Sequence, residues 1–330
     1  MNFEKVKWGI IGCGDVTEVK SGPAFGKIEN SELIAVMRRT GKLAEDYAKR
    51  HMVPKWYDNA DELINDPEIN AIYIATPPGL HKEYTLKAAK AGKVVYVEKP
   101  MALNVNECEE MVDACRVAQV PLYVAYYRRA QPRFLKIKEL LEDNVIGDVR
   151  LVSTIQYQQV SEKEKNMVNP PWRVQPHLSG GGLFYDLGSH TLDILDFLLG
   201  PIKSVSGYAS NQSGYYEAED LVTGTYQFES GTHGVGQWCY SAHEELDVNK
   251  IIGSEGTISF STFGNTPIVL TTKNGTKEWS FDPPKHVHQP LLETIVAELT
   301  GKGQQCPSNG ETGTRTNWVM GELVKNYYAR

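Results

Sequence analysis

Trp8-Gly9-Ile10-Ile11-Gly12-Cys13-Gly14-Asp15-Val16-Thr17 is the stretch whose reading decides the fold. A short apolar run at 6–11 passes directly into two glycines spaced G-x-G, and a helical pattern follows. Gly12 permits a tight turn and Gly14 lets the backbone approach a pyrophosphate, while the N-terminus of the next helix supplies N–H donors and a positive dipole end. The stretch matches G-x-G-x-x-G/A except at the third small position, Thr17, which predicts slightly looser helix–strand contact. Gly22-Pro23 is expected to end that helix soon afterwards. A bare glycine pair also suits a structural turn in an α/β domain that holds no nucleotide. The strand before it, the helix after it and a second strand about twenty residues on favour a dinucleotide site built on Gly12, Cys13, Gly14, Asp15 and Val16.

Outward from this turn, strand patterns at 33–37, 56–57, 71–75, 94–97 and 122–125 alternate with helical patterns at 40–51, 61–64, 81–91 and 105–118. Continuous apolar strands separated by helices predict a parallel sheet covered on both faces. After Tyr126 the pattern changes. A helix at 134–143 and a long strand at 149–159 precede a Gly/Pro-rich segment at 170–182 and an apolar helix at 185–199. Seven extended segments, rich in β-branched and aromatic residues, then fill 202–281, and helices at 291–299 and 313–328 close the chain. The predicted fold is α/β: a Rossmann doubly wound parallel sheet over 1–125, then an α+β domain over 126–330 with a large, open, mostly antiparallel sheet.

The bulk properties narrow the functional class. The 330 residues carry 34 Lys and Arg against 41 Asp and Glu, a formal net charge of −7, which argues against a large surface for nucleic acid or anionic membrane. No apolar run approaches the roughly 18 residues that span a bilayer, and the first residues lack a secretory pattern, so a cytoplasmic location is expected. None of the five cysteines forms a CxxC pair, which predicts free thiols. His286-x-His288 lacks a third ligand at telling spacing, so no metal is expected.

Several residues follow strand ends, where ligands of open α/β sheets bind. The second strand ends in Arg38-Arg39, where an NAD site usually places Asp or Glu for the ribose 2′-hydroxyl. Two arginines instead suit a 2′-phosphate, which favours NADP, with NAD as the alternative. Thr76-Pro77-Pro78 follows the third clear strand, with His81 just beyond, and Glu98-Lys99-Pro100 follows the fourth. Gly12, Arg38, Thr76 and Lys99 are therefore expected in one crevice. In the second domain Gly180-Gly181-Gly182 leads to Asp186-Leu187-Gly188-Ser189-His190. Four residues apart on a helix, Asp186 and His190 would share a face, and the carboxylate would orient the imidazole. Taken singly, a lysine is most often solvated and a histidine most often structural.

Together, the G-x-G turn, Glu98-Lys99-Pro100 and the GGG-x₃-D-x₃-H pattern resemble the Gfo/Idh/MocA oxidoreductases over nearly the whole chain. The resemblance implies Lys99, Asp186 and His190 as the catalytic set: His190 as proton acceptor from an alcohol, Lys99 holding the oxygen, Asp186 orienting the pair. It places Pro77, Pro78 and His81 near the adenosine and nicotinamide ribose, Glu98 at the nicotinamide half, and Trp172-Arg173 over the cofactor. Tyr126 and Arg128, after the last strand of the first domain, are candidates to face the substrate together with Lys99, Asp186 and His190; a surface charge is the competing reading of Arg128 or Arg129, and a solvated helix end that of Lys20. The implied substrate is a sugar, polyol or cyclitol, and the implied assembly a homodimer or homotetramer through the C-terminal sheet. Two alternatives follow from the same scaffold: a relative that cleaves glycosides by transient oxidation with NAD, and a dinucleotide sensor without activity.

Overall fold

The computed structural model describes residues 2–328. They form two compact units. The first comprises the residues up to Ala102, Asn106–Gln131 and Pro284–Thr314; the second comprises Leu103–Val105, Pro132–Pro283 and the residues from Arg315 on.

In the first unit the strands are β1 (Val6–Ile11), β2 (Ser31–Met37), β3 (Lys55–Tyr57), β4 (Ala71–Ile74), β5 (Val94–Val97) and β6 (Leu122–Val124). Between them run helices α1 (Asp15–Val19), α2 (Gly41–His51), α3 (Ala60–Asn65), α4 (His81–Lys90) and α5 (Val105–Val117). The strands are all parallel, in the order β3-β2-β1-β4-β5-β6. Every residue of β4 and β5 is buried, as expected of strands covered on both faces. The chain winds outward in opposite directions from β1, so the β1–β4 junction is the topological switch point where such sheets bind ligands. The helix after β1 ends at Val19, and a 3₁₀ turn at Gly22–Ala24 follows, consistent with the break expected at Gly22-Pro23.

The sequence placed 284–314 with the second domain, whereas in the structure these residues pack with the first. Helix α9 (Gln289–Leu299), which like α10 comes after the second unit's elements in the chain, buries Leu291, Leu292, Ile295, Val296 and Leu299 in one core with Trp8, Tyr73 and Tyr96. Burying an aliphatic side chain of this kind contributes about 1.5–3 kcal/mol, so this sheet face gains its cover from the far end of the chain. Two further ties hold the return: Arg129 donates to the Pro307 carbonyl (3.1 Å) and Ser308 Oγ to the Val124 carbonyl (2.7 Å).

The second unit contains helix α6 (Pro132–Glu142), β7 (Val149–Tyr157), a short helix α7 (Pro176–Ser179), α8 (Ser189–Leu199), and β8 (Ile202–Ser210), β9 (Leu221–Phe228), β10 (His233–Cys239), β11 (Leu246–Gly253), β12 (Gly256–Phe260), β13 (Ile268–Thr272) and β14 (Gly275–Trp279). Its eight strands run in the order β14-β13-β12-β11-β7-β10-β9-β8 and pair antiparallel except for β7 with β10. The final helix α10 (Gly310–Tyr328) spans the boundary, and its Val319, Met320, Leu323 and Val324 join the core of this unit. The helix expected at 185–199 begins differently: Phe184–Gly188 form a π-helical turn, and α8 starts only at Ser189. A Cβ on Gly188 would lie 2.5 Å from the Phe184 ring, so glycine there lets the ring fold back over the turn.

Candidate active site

The cradle at the end of β1 is built from backbone. Gly12 has φ +92°, and a Cβ on it would meet the Ala75 carbonyl oxygen at 2.9 Å. Only glycine combines that conformation with so close an approach to the β4 end. Gly14 is the opposite case, because a Cβ there would find only the Gly12 carbonyl, 3.9 Å away, leaving an open face. Thr17 does not loosen the packing as the motif predicted. It is fully buried, its hydroxyl donates to the Gly14 carbonyl (2.8 Å) and accepts from the Gly14 N–H (3.0 Å), and Tyr47 donates to its carbonyl (2.8 Å). A hydroxyl thus closes the turn where a third glycine would have allowed only contact. Cys13 contributes backbone alone: its side chain is buried and its thiol pushed up to about 11 by burial. Asp15 is exposed and Val16 half-buried at the start of α1.

These residues fit a dinucleotide. Thr76 Oγ1, beside Gly12, is buried with no hydrogen-bond partner among the described residues, as a group awaiting a ligand would be. Arg38 and Arg39 stand exposed just past β2, and Arg38 Nη1 lies 3.5 Å from the Cys13 carbonyl. Pro77 is half-buried and Pro78 buried in the loop after β4. His81, expected at the cofactor, is instead fully buried at the start of α4. Its Nε2 faces the Thr76 carbonyl at 2.8 Å and its Nδ1 the Pro100 and Met101 carbonyls at 3.1 and 3.2 Å. Burial pushes its pKa down to about 4, against the pull of these carbonyls, so the ring is neutral at pH 7. A neutral ring has one N–H, so it donates to one of these loops and packs against the other, lying between the loop after β4 and the loop after β5.

The loop after β5 carries Glu98 and Lys99. Glu98 is buried, accepts from Tyr73 OH (2.5 Å) and folds back to accept from the Lys99 N–H (3.1 Å). His288 Nε2 lies 3.6 Å from the same carboxylate, and the Tyr96 hydroxyl contacts His288 Nδ1 at 2.9 Å. Burial lowers His288 to about 3, so Tyr96 donates to Nδ1 and the Nε2–H faces Glu98. His286 lies apart from it, 2.6 Å from Lys27 Nζ and 2.6 Å from the Val19 carbonyl. Tyr126 is buried at the end of β6, and Arg128, buried too, stacks over Tyr127 at 5.0 Å. Burial removes the surface-charge reading of Arg128 and Arg129.

In the second unit the triple-glycine segment and the π-helical turn bring Asp186 to Arg173, whose Nε donates to Oδ2 at 2.9 Å. The Arg173 guanidinium also lies over the Trp172 ring, 4.5 Å from its centroid. His190 sits in the first turn of α8, 3% exposed, with the Phe263 ring edge-on to it at 5.7 Å. Nine of the eleven residues of α8 are buried, so its backbone offers His190 a rigid base.

Glu219 was not anticipated from sequence. Its fully buried carboxylate accepts from the Gly182 N–H (2.9 Å to each oxygen) and from Tyr328 OH. A Cβ on Gly182 would lie 2.4 Å from the Glu219 carbonyl oxygen, so only glycine fits there. Burial is the largest influence on Glu219 and raises it to about 7, although both donors pull the other way. A carboxyl raised on folding binds more protons in the native than in the unfolded state. The contribution of Glu219 to stability is therefore expected to be full below the ordinary glutamate range and to be lost as pH rises from about 4.3 to 7, by on the order of 3 kcal/mol. Thermal unfolding followed from pH 5 to 8 checks this. Glu219→Gln should flatten that part of the curve, and an identical slope in the variant would remove Glu219 as its source.

No group of three or more His, Cys, Asp or Glu among the described residues is arranged to hold a metal, and no helix among them is long and apolar enough to cross a membrane. Residues 6–126 match the family described as "Oxidoreductase family, NAD-binding Rossmann fold", and residues 134–259 match the GFO/IDH/MocA C-terminal domain. Oxidoreductase P35 of Formosa agariphila is 43% identical over 296 residues, 88% of this chain and 90% of that one. The chain belongs to the Gfo/Idh/MocA family. Membership makes it a nicotinamide-dependent oxidoreductase. Among other Gfo/Idh/MocA relatives, the scyllo-inositol 2-dehydrogenase (NAD(+)) of Bacillus subtilis is 26% identical, covering 93% of this chain and 88% of its own. Among solved structures, the aldose-aldose oxidoreductase of Caulobacter crescentus complexed with glycerol superposes with a TM-score of 0.86 at 25% identity, covering 99% of this chain and 98% of that one.

Proposed function

We propose that this enzyme moves a hydride between NADP and a secondary alcohol or ketone of a sugar, polyol or cyclitol. The observation that carries this is Lys99: it stands at the carboxyl end of β5, beside the β1–β4 switch point, on a loop held by Glu98. The His81 ring lies between this loop and the Thr76 carbonyl, and the Thr76 hydroxyl has no hydrogen-bond partner among the described residues. The relatives act on cyclitols and aldoses by name, which supports the substrate class.

The Gly12–Gly14 backbone, Thr76, Pro77 and Pro78 would hold the dinucleotide, and Arg38 and Arg39 a 2′-phosphate. When bound, the nicotinamide ring accepts a hydride from the carbinol carbon or returns one to the ketone. His190 takes the proton from the substrate hydroxyl as general base, and gives it back in reduction. The Lys99 ammonium donates a hydrogen bond to the same oxygen and stabilises the negative charge that grows on it. Asp186, fixed by Arg173, keeps the site's charge balanced and its geometry oriented. Tyr126, Arg128, Trp172 and Glu98 shape the surroundings.

A panel of D-glucose, D-xylose, D-sorbitol, myo-inositol and scyllo-inositol, each with NAD and with NADP and followed at 340 nm, tests this function. Steady NADPH formation with at least one of them is expected. Silence across the panel, and likewise glycoside cleavage with no net change at 340 nm, would overturn it.

A further inference from the structure

The loop at 261–266, between β12 and β13, is held by far more polar contacts than a surface connection needs. The Asp247 carboxylate accepts three of its backbone N–H groups, those of Thr262 (3.0 Å), Phe263 (2.6 Å) and Gly264 (3.1 Å). Arg133, at the start of α6, donates to the opposite side of the same loop: to the Gly264 carbonyl, the Thr266 carbonyl (3.1 Å) and Ser261 Oγ (3.4 Å). A carboxylate on the N–H side and a guanidinium on the carbonyl side fix the backbone from both faces with charge-assisted bonds.

The clamped loop reaches α8 twice, at adjacent residues. Thr262 Oγ1 lies 3.1 Å from Thr191 Oγ1 and accepts from Asn249 Nδ2 (2.9 Å), while Asn249 Oδ1 accepts from Thr154 Oγ1 (2.9 Å). All four side chains are buried, so this polar chain runs from β7 through β11 and the loop to the residue next to His190. Phe263 then meets His190 itself, ring centroids 5.7 Å apart and planes at 83°. Its side chain is only half-buried, so it is no core anchor of the unit. Edge-to-face contacts of this kind hold two rings in a defined mutual orientation.

We propose that the 261–266 loop is a buttress for the His190 imidazole, with Phe263 as its positioning residue. The proposal rests on the role given above to His190. The loop fixes the helix turn through Thr191 and the ring plane through Phe263, so the imidazole is already aligned when the substrate hydroxyl arrives. Alignment of a proton acceptor acts on the chemical step, not on cofactor binding.

Kinetics of Phe263→Leu, Phe263→Tyr and His190→Ala, measured with whichever panel compound wild-type enzyme oxidises fastest, test it. Phe263→Leu should lower kcat about five- to tenfold and leave KM for the dinucleotide within twofold. Phe263→Tyr keeps the ring and should restore kcat to within twofold of wild type. A Phe263→Leu kcat within twofold of wild type, an equal fall in Phe263→Tyr, or a loss confined to KM would overturn the proposal. Should Phe263→Leu not fold, judged by its thermal transition, Arg133→Gln frees the carbonyl side of the loop while keeping Phe263. It should then show the same fall in kcat, and its absence counts against the buttress. If His190→Ala itself turns over normally, the role of His190 fails instead, whatever Phe263 does.

Discussion

Replacing His190 with alanine should lower kcat by about 10²-fold or more, the usual scale for losing a general acid or base. Lys99→Ala should fall by a similar factor, because the growing charge on the substrate oxygen would lose its charged donor. Each residue has a setting that a solvated side chain lacks. His190 is buried in the first turn of a helix that is itself almost wholly buried. Lys99 follows a fully buried strand, on a backbone held by the Glu98 carboxylate. Lys99 is half-buried, so Lys99→Ala should change thermal stability far less than turnover, whereas His190→Ala removes a buried side chain and should also lower the thermal transition. Steady-state kinetics together with thermal unfolding check both points, and near-normal turnover in either variant would refute that residue's role. Because the two groups are read as acting on one oxygen, the double variant should be less than additive.

Arg38→Asp should lower kcat/KM for NADP by about 10- to 100-fold relative to NAD, since hydrogen bonds to a charged group contribute about 1.5–3 kcal/mol and the substitution also reverses the charge. The expected effect follows from the end of β2. Arg38 and Arg39 stand exposed where NAD-selective sheets place a carboxylate for the 2′-hydroxyl. The matching N-terminal family is described as NAD-binding, and the Bacillus subtilis relative is named for NAD(+), so the NADP reading proposed above rests on this pair of arginines alone. The ratio of kcat/KM for the two dinucleotides, in wild type and variant, is the measurement. An unchanged ratio would mean that Arg38 does not read the 2′-phosphate.

Parts of the candidate site are legible in the amino-acid sequence alone. The positions of Gly12, Thr76 and Lys99 were legible because each follows directly on an apolar strand, and strand ends announce themselves locally. His81 was singled out by its place in the loop, but its task was not legible: only the fold shows its ring facing carbonyls of both loops. Thr17 looked like a defect in a glycine motif, and proves to close the turn with its hydroxyl. Asp186 and His190 are four residues apart in the sequence, as on one helical face; the backbone changes from π to α between them, and Asp186 also accepts from Arg173, thirteen residues back.

Sequence by itself determined the parallel nucleotide-binding sheet, the change to a mostly antiparallel sheet and the residues just beyond the strand ends. These depend on hydrophobic period and on glycine placement, which neighbouring residues carry among themselves. Tertiary structure alone decided that α9 covers the first sheet, that His288 faces Glu98 across 190 positions, that Glu219 holds Gly182, and that Phe263 meets His190. Each joins residues far apart in the chain, and an apolar helix face or a lone carboxylate carries no local mark of which distant surface it will meet.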